Sequence, residues 1–355
     1  MNIFILPVSG GGFVSQLAIL QHLCESNIRP KITLASSGGN VAAYIAEAAQ
    51  WKWPAIERIA RKLSQDLFVS SWSNIAFMSS VMGYFRGKIF NKGTGVYNFL
   101  NEHFTEKTIR SDEIWTGTYN NNRKQARLFC NQFKHESILD ISCIDHDLSQ
   151  SMEVVFADGN IDLIAKYGSA SASIPAIVPS INILDEEYVD GGVAGASPLG
   201  IMQEPILKYV EEHNIAMHII YINSVDLSNH LEKETHNIVD TVKEVTGNMV
   251  RASTVSDRLA AYKLLRYHSG ILRKKEFLCN YDNIERIKQI QSMIDYSMLE
   301  IYPLSKHDID ITKFSGDDVV RAMHDAYDDL ACRFLWLSED DITSKEVMKI
   351  LELCL

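Results

Sequence analysis

Apolar positions near the start of the chain follow two rhythms. Ile3 to Val8 is a compact apolar run that ends at Gly10-Gly11-Gly12, which predicts a buried strand and a glycine turn. From Phe13 to Cys24, Val14, Leu17, Ala18, Leu20 and Leu23 recur at helical spacing. The two rhythms then repeat: Ile32-Thr33-Leu34 predicts a second buried strand, and Val41 to Ala49, rich in alanine and free of Gly and Pro, predicts a second helix. Two strand–turn–helix units so close together predict adjacent parallel strands, whose C-terminal ends collect ligand-binding loops.

Further along, residues 51–100 read as mostly helical and strongly apolar in the middle. Ile114 to Tyr119 and Ala126 to Cys130 predict a hairpin around Asn120-Asn121-Asn122, and Ser151 to Ala157 a further extended segment. Helical sequence leads up to Gly168-Ser169-Ala170-Ser171-Ala172, and Ile183 to Val189 flank an acidic turn before Asp190-Gly191-Gly192. Pro205 suits the first turn of a helix over Ile206 to Glu212, and Met217 to Ile222 predicts a buried strand. Beyond Leu227 charged and apolar residues interleave through Asp240 to Arg273, Ile284 to Leu299 and Val319 to Leu337. Thr343 and Glu346 fit a capping box, and Ser315 with Asp318 a looser one. The expected organisation is a domain over residues 1–226 and a mainly helical region over 227–355, packed on the core or forming a small lobe.

Composition adds limits rather than a function. The 355 residues are 46% hydrophobic and 22% charged, as in ordinary globular proteins, with a formal charge of -11 that argues against general binding to nucleic acid. No apolar stretch approaches the roughly 20 residues that span a bilayer. The first residues lack a basic region and run straight into the glycines, so no secretory signal is expected and an intracellular location, at most peripheral to membranes, is. The six cysteines are scattered, without metal-ligand spacing, and point to a reducing compartment and no structural metal.

Chemistry concentrates at three places. Ser37, within Ala35-Ser36-Ser37-Gly38-Gly39, stands at a strand-to-helix turn where small neighbours let the backbone pass through a strained elbow that presents a nucleophile. Gly10, Gly11 and Gly12 can turn several N–H groups toward one point and so serve an oxyanion. No Gly-Lys-Ser/Thr ending makes this a phosphate loop, and Ser15 stands where a dinucleotide fingerprint wants glycine. Asp190 ends a strand and is followed by Gly191 and Gly192, so its carboxylate can approach a neighbouring loop and accept a proton from Ser37. Taken alone, the serine and aspartate motifs are more often ordinary turns.

The ordered set Gly10-Gly11-Gly12, Ala35 to Gly39, Gly168 to Pro175 and Tyr188 to Gly192 resembles the patatin-like phospholipase family over roughly residues 3–225. The resemblance implies a three-layer α/β/α fold with a central, mostly parallel sheet, here with a helical C-terminal extension. It also implies a lipid acyl hydrolase of phospholipase A or lysophospholipase type that works through a serine–aspartate dyad without histidine, metal or organic cofactor. Ser37 would be the nucleophile, Asp190 the base, and Gly10 to Gly12 the oxyanion loop, with Gly39, Gly191 and Gly192 supporting. Ala35 stands where the family's serine motif has glycine, Val14 where its glycine loop carries arginine or lysine, and Ser15 where that loop carries glycine.

None of the eleven histidines has a motif tying it to the elbow; His22, His103, His135, His146 and His218 read as core or surface residues. The apolar stretch from Leu67 to Phe85, with Phe68, Trp72, Phe77, Met78 and Phe85, is a candidate acyl groove or lid that touches a membrane or micelle surface transiently. Its alternative is a buried helical layer; Arg61, Lys62, Arg86 and Lys88 flank it. The expected substrate is a phospholipid or another acyl ester. Two further readings stay open: an acyltransferase or neutral-lipid esterase, and an inactive domain that binds lipid or a protein partner.

Overall fold

The computed structural model describes residues 1–64, 94–104, 112–144, 152–174, 178, 180–194, 198–224, 259–261, 263–264, 276–280, 288, 296–309 and 314–335. The groove candidates Phe68, Trp72, Phe77, Met78 and Phe85, with Arg86 and Lys88, lie outside these, as do His146 and the Thr343–Glu346 pair.

Eleven strands among the described residues form one sheet. β1 (Asn2–Leu6), β2 (Ile32–Ala35), β3 (Glu113–Asn120), β8 (Met217–Ile222) and β10 (Tyr296–Pro303) make its parallel centre, in the order β3-β2-β1-β8-β10. β4 (Gln125–Cys130) and β5 (Met152–Phe156) continue one side, and β11 (Leu330–Leu335) and β9 (Glu276–Asn280) the other. β6 (Ile181–Ile183) and β7 (Glu186–Asp190) form a hairpin laid against β3.

Side chains alternate across the sheet, and β1, β2 and β8 at its centre are buried on both faces, which is why they read as nearly unbroken apolar runs. Phe4 and Leu6 of β1, Ile220 and Ile222 of β8, and Leu299 and Ile301 of β10 join one core. That core also holds α1 (Phe13–Glu25), α2 (Gly38–Ala48), α3 (Trp53–Ala60), α4 (Thr94–His103), α5 (Ile161–Ser171) and α7 (Gly316–Asp328). Ile3, Ile5, Ile219, Tyr221 and Met298 face the opposite core under α6 (Pro198–His213). The three-layer α/β/α arrangement with its mostly parallel centre is thus the one expected.

Local departures from the sequence reading have identifiable causes. α6 starts at Pro198, seven positions ahead of Pro205, so Pro205 lies inside the helix and a different proline opens it. The apolar residues of 296–303 and 330–335 are strands rather than helix, because pairing with β8 and with one another extends the sheet. The looser Ser315–Asp318 signal is a complete capping box. The helix it starts buries Val319, Val320, Met323 and Ala326 and packs along α1. Cys332 is disulfide-bonded, against the expectation of a chain of reduced thiols; its register partner across the β9–β11 ladder is Cys279. No helix among the described residues is long and apolar enough to cross a membrane.

Removing the cap should register in stability. Ser315→Ala is expected to cost about 1 kcal/mol, measured as a lower urea midpoint with an unchanged m-value.

Candidate active site

β3 explains how two residues far apart in sequence meet. One edge of β3 is taken along most of its length by β4. The other edge is shared: β2 pairs with its first half, ending at Ala35 opposite Thr116, and β7 pairs with its second half, placing Asp190 opposite Thr118. The ends of β2 and β7 therefore approach along the same edge, two β3 residues or about 7 Å apart. Beyond Ala35 lies Ser37, and at the last position of β7 lies Asp190.

The hairpin that delivers Asp190 is held at its far end. Leu184 and Asp185 both have positive φ, as a two-residue primed turn requires, and Asn120 Nδ2 donates to Glu186 Oε2 at 2.7 Å. Gly191 then passes against β3 so closely that a Cβ there would lie 2.5 Å from the Gly117 carbonyl oxygen.

Ser37 is the residue between β2 and α2, with φ 55° and ψ -131°. A positive φ at a non-glycine residue costs on the order of 1–3 kcal/mol and persists only where its surroundings impose it. Those surroundings are explicit. The Ser37 N–H donates to Ser171 Oγ at 3.0 Å, and Ser171 Oγ donates to the Gly117 carbonyl at 2.9 Å. Asn40 N–H donates back to the Ser37 carbonyl at 3.0 Å, while Asn40 Nδ2 donates to Gly168 and its Oδ1 accepts from Thr116. The start of α2 lies hard against the end of β1: a Cβ on Gly39 would sit 2.4 Å from the Leu6 carbonyl oxygen.

The turn that ends α5 holds both partners. Ser171 takes the Ser37 amide, and two residues later the Ser173 carbonyl accepts the Asp190 N–H at 3.1 Å. Gly192 N–H donates to Asp190 Oδ1 at 2.8 Å. Ser37 is fully buried and Asp190 nearly so. Burial pushes the Asp190 carboxyl up to about 7, with the Ser37 hydroxyl and the Gly192 amide offsetting part of the rise. The Ser37 hydroxyl thus lies against the carboxyl, yet Ser37 Oγ and Asp190 Oδ2 make no hydrogen bond of regular geometry with any group. Two buried polar atoms are left for each other and for a ligand.

The glycine loop borders the elbow, since a Cβ on Gly38 would lie 2.6 Å from the Gly10 carbonyl oxygen. Its residues form a short 3₁₀ turn, Gly10–Gly12, in which the Gly12 N–H is already committed to the Ser9 carbonyl at 2.9 Å. The loop's free donors therefore narrow to Gly10 and Gly11. Gln16 anchors the loop from below: its Nε2 donates to the carbonyls of Pro7 and Ile222, and its Oε1 accepts from Ser9 Oγ at 2.7 Å. Val14 is buried in the core, and the buried Ser15 hydroxyl donates to the His307 carbonyl at 2.8 Å. Gln16, Asn40 and Thr116 escaped the sequence reading because nothing in their local pattern separates them from helix or strand interior; Ser171 lies in the 168–175 stretch that carried the resemblance, but its bond to the Ser37 amide was not read there.

Described histidines find partners away from the elbow. His218 Nδ1 pairs with Ser297 Oγ at 2.9 Å near the start of β8, and burial lowers its pKa to about 4. His22 neighbours Glu25 and Tyr327, His103 bonds the Phe99 carbonyl, and exposed His135 stands by Glu136. Arg61 pairs with Glu57 and Asp317 on the surface.

The family described as patatin-like phospholipase matches residues 6–202, more than half of the chain. The chain belongs to the patatin-like phospholipase family, and membership supports lipid-hydrolase or esterase activity in general. No curated protein matches the sequence. The crystal structure of VipD from Legionella pneumophila is similar at 10% identity over 99% of this chain and 67% of that one, with a TM-score of 0.35, a similarity too low to bear on function.

Two outcomes are expected from the contacts around Asp190. Between about pH 4 and 7 the folded protein holds a proton on Asp190 that the unfolded chain has released, so stability falls as pH rises through that window. Asp190→Asn should accordingly match wild type near pH 4 and exceed it above pH 7 in denaturant titrations. Ser171→Ala should leave the fold intact and lower kcat on an acyl ester by about 10- to 100-fold, the range expected for a misplaced reacting group; steady-state kinetics checks this.

Proposed function

We propose that the protein is a lipid acyl hydrolase of phospholipase A or lysophospholipase type, cleaving carboxylic esters through a Ser37–Asp190 dyad. The observation that carries the reading is the strained, buried Ser37 whose hydroxyl lies against a buried carboxyl with no competing partner. Such a hydroxyl needs only a base and an oxyanion site to act as a nucleophile.

In its charged form Asp190 takes the Ser37 proton as Oγ attacks the ester carbonyl. The Gly10 and Gly11 amides receive the developing oxyanion. Collapse of the tetrahedral species breaks the ester C–O bond, and the proton on Asp190 passes to the departing alcohol or lysolipid. Water then attacks the acyl-enzyme, giving one proton to Asp190, which returns it to Ser37 Oγ as the carboxylic acid leaves. Every step uses side chains and amides of the chain itself. The substrate is a phospholipid or related acyl ester met at a membrane or micelle surface. The site's position in the family-matched segment, together with the apolar sequence over residues 67–85, supports that choice.

A carboxyl pushed up to about 7 has a direct consequence for rate. The base form grows as pH rises, so kcat/KM should climb through about pH 7 to a plateau. Ser37→Ala and Asp190→Asn should each abolish ester cleavage while remaining folded. A serine-reactive phosphonate should label wild type at Ser37, and a lipid panel with added alcohols should yield free acid rather than new esters. Full activity in purified Ser37→Ala would refute the assignment.

A further inference from the structure

Three successive glycines carry no side chains to hold them, yet oxyanion donors act only when fixed to within a few tenths of an ångström. Beyond the Ser9 and Gln16 bonds, the loop is also held by residues outside the family-matched segment. β1, β8 and β10 are parallel, so their exits share one edge of the sheet, with β10 about 10 Å from β1. After Pro303 the chain returns across the β8 exit to the glycine loop. Ile309 N–H donates to the Gly11 carbonyl at 3.3 Å, and a Cβ on Gly11 would lie 2.1 Å from the Ile309 carbonyl oxygen. The two backbones are in direct contact, and only glycine admits the approach. The Ser15 hydroxyl, one turn into α1, fastens the same segment through the His307 carbonyl.

The segment is moored at its other end. Leu304 N–H donates to the Asp329 carbonyl at 2.8 Å, and Asp329 Oδ2 accepts from Ser305 N–H at 2.6 Å and pairs with His307 Nε2 at 3.0 Å. Burial pushes the Asp329 carboxyl up, but the bonds from His307 and Ser305 outweigh it and hold the group below the ordinary range. Asp329 directly follows α7, which itself packs along α1. A closed circuit results: glycine loop, α1, α7, Asp329, residues 304–309, and the glycine loop again.

We propose that residues 304–309 position the Gly10 and Gly11 amides, with Ser15 as the positioning residue that locks strap to loop and Asp329 as the mooring. The inference rests on the reading of this loop as the oxyanion site. It also gives a purpose to a residue that departs from the family pattern: Ser15 supplies a bond that glycine there cannot make.

The test uses the full chain with an acyl ester and its thionoester, in which sulfur replaces the carbonyl oxygen and accepts hydrogen bonds weakly. In Ser15→Ala, kcat on the oxygen ester should fall about 10-fold, less than the 100- to 1,000-fold lost with a whole donor. KM should stay within about twofold, and the thionoester rate should change far less, so the oxygen-to-sulfur rate ratio drops. Asp329→Ala, a surface-side change, should move the ratio in the same direction by about threefold. Circular dichroism and unfolding midpoints establish that both variants are folded. An unchanged ratio in folded Ser15→Ala and Asp329→Ala overturns the proposal, and so does an equal loss on both esters. A wild type that neither cleaves esters nor accepts the phosphonate at Ser37 brings down the underlying reading, a result distinct from either.

Discussion

Everything at the site depends on how one edge of β3 is divided. β2 leaves that edge after Thr116 and β7 takes it up at Thr118, so the elbow and the aspartate meet end to end. The Gly117 carbonyl at the junction is engaged from two sides. It accepts the Ser171 hydroxyl that holds the Ser37 amide, and Gly191 passes close above it. A slip of the β7 register by one residue would turn Asp190 to the other face of the sheet. The hairpin turn at Leu184-Asp185 and the Asn120–Glu186 bond oppose that slip, which makes the far end of the hairpin part of the site's geometry.

The site is energetically unfavourable by construction. Ser37 is held at positive φ, Asp190 is a buried carboxyl with one oxygen unsatisfied, and Thr33, Ser36 and Ser37 hydroxyls are buried without partners. Each of these costs about a kilocalorie per mole or more. They persist because α1 and α2 are buried on nearly all sides and the strands beneath them are covered on both faces. A rigid apolar surround is what lets a strained serine and a proton-retaining carboxyl coexist, and the same surround makes the carboxyl titrate near neutrality.

The C-terminal residues change in meaning once their place is known. Charged and apolar residues interleaved over 284–299 and 319–337 read as helices, but parallel pairing of β10 on β8 and antiparallel pairing of β11 on β10 recruit part of them to the sheet. That recruitment carries residues 304–309 to the glycine loop and puts Ser15 to use. The cysteines show the same effect, since no spacing marks Cys332 for a disulfide and strand register alone sets it opposite Cys279.

By itself the sequence determined the alternation of buried strands and helices in the first half, the elbow at Ser37, the glycine loop and the Asp190-Gly191-Gly192 turn. These are local signals: runs of apolar residues, small residues at tight turns, and a capping residue where a helix starts. Tertiary structure alone decided that β7 occupies the edge β2 leaves, and that Ser171 and Gln16 hold elbow and loop. It also decided that Gly12 spends its amide on Ser9, leaving Gly10 and Gly11 as donors, and that residues far down the chain wall that loop. The physical reason is common to all of them. A hydrogen bond between distant residues leaves no periodicity in the chain, because it is set by strand order and register rather than by the residues beside it.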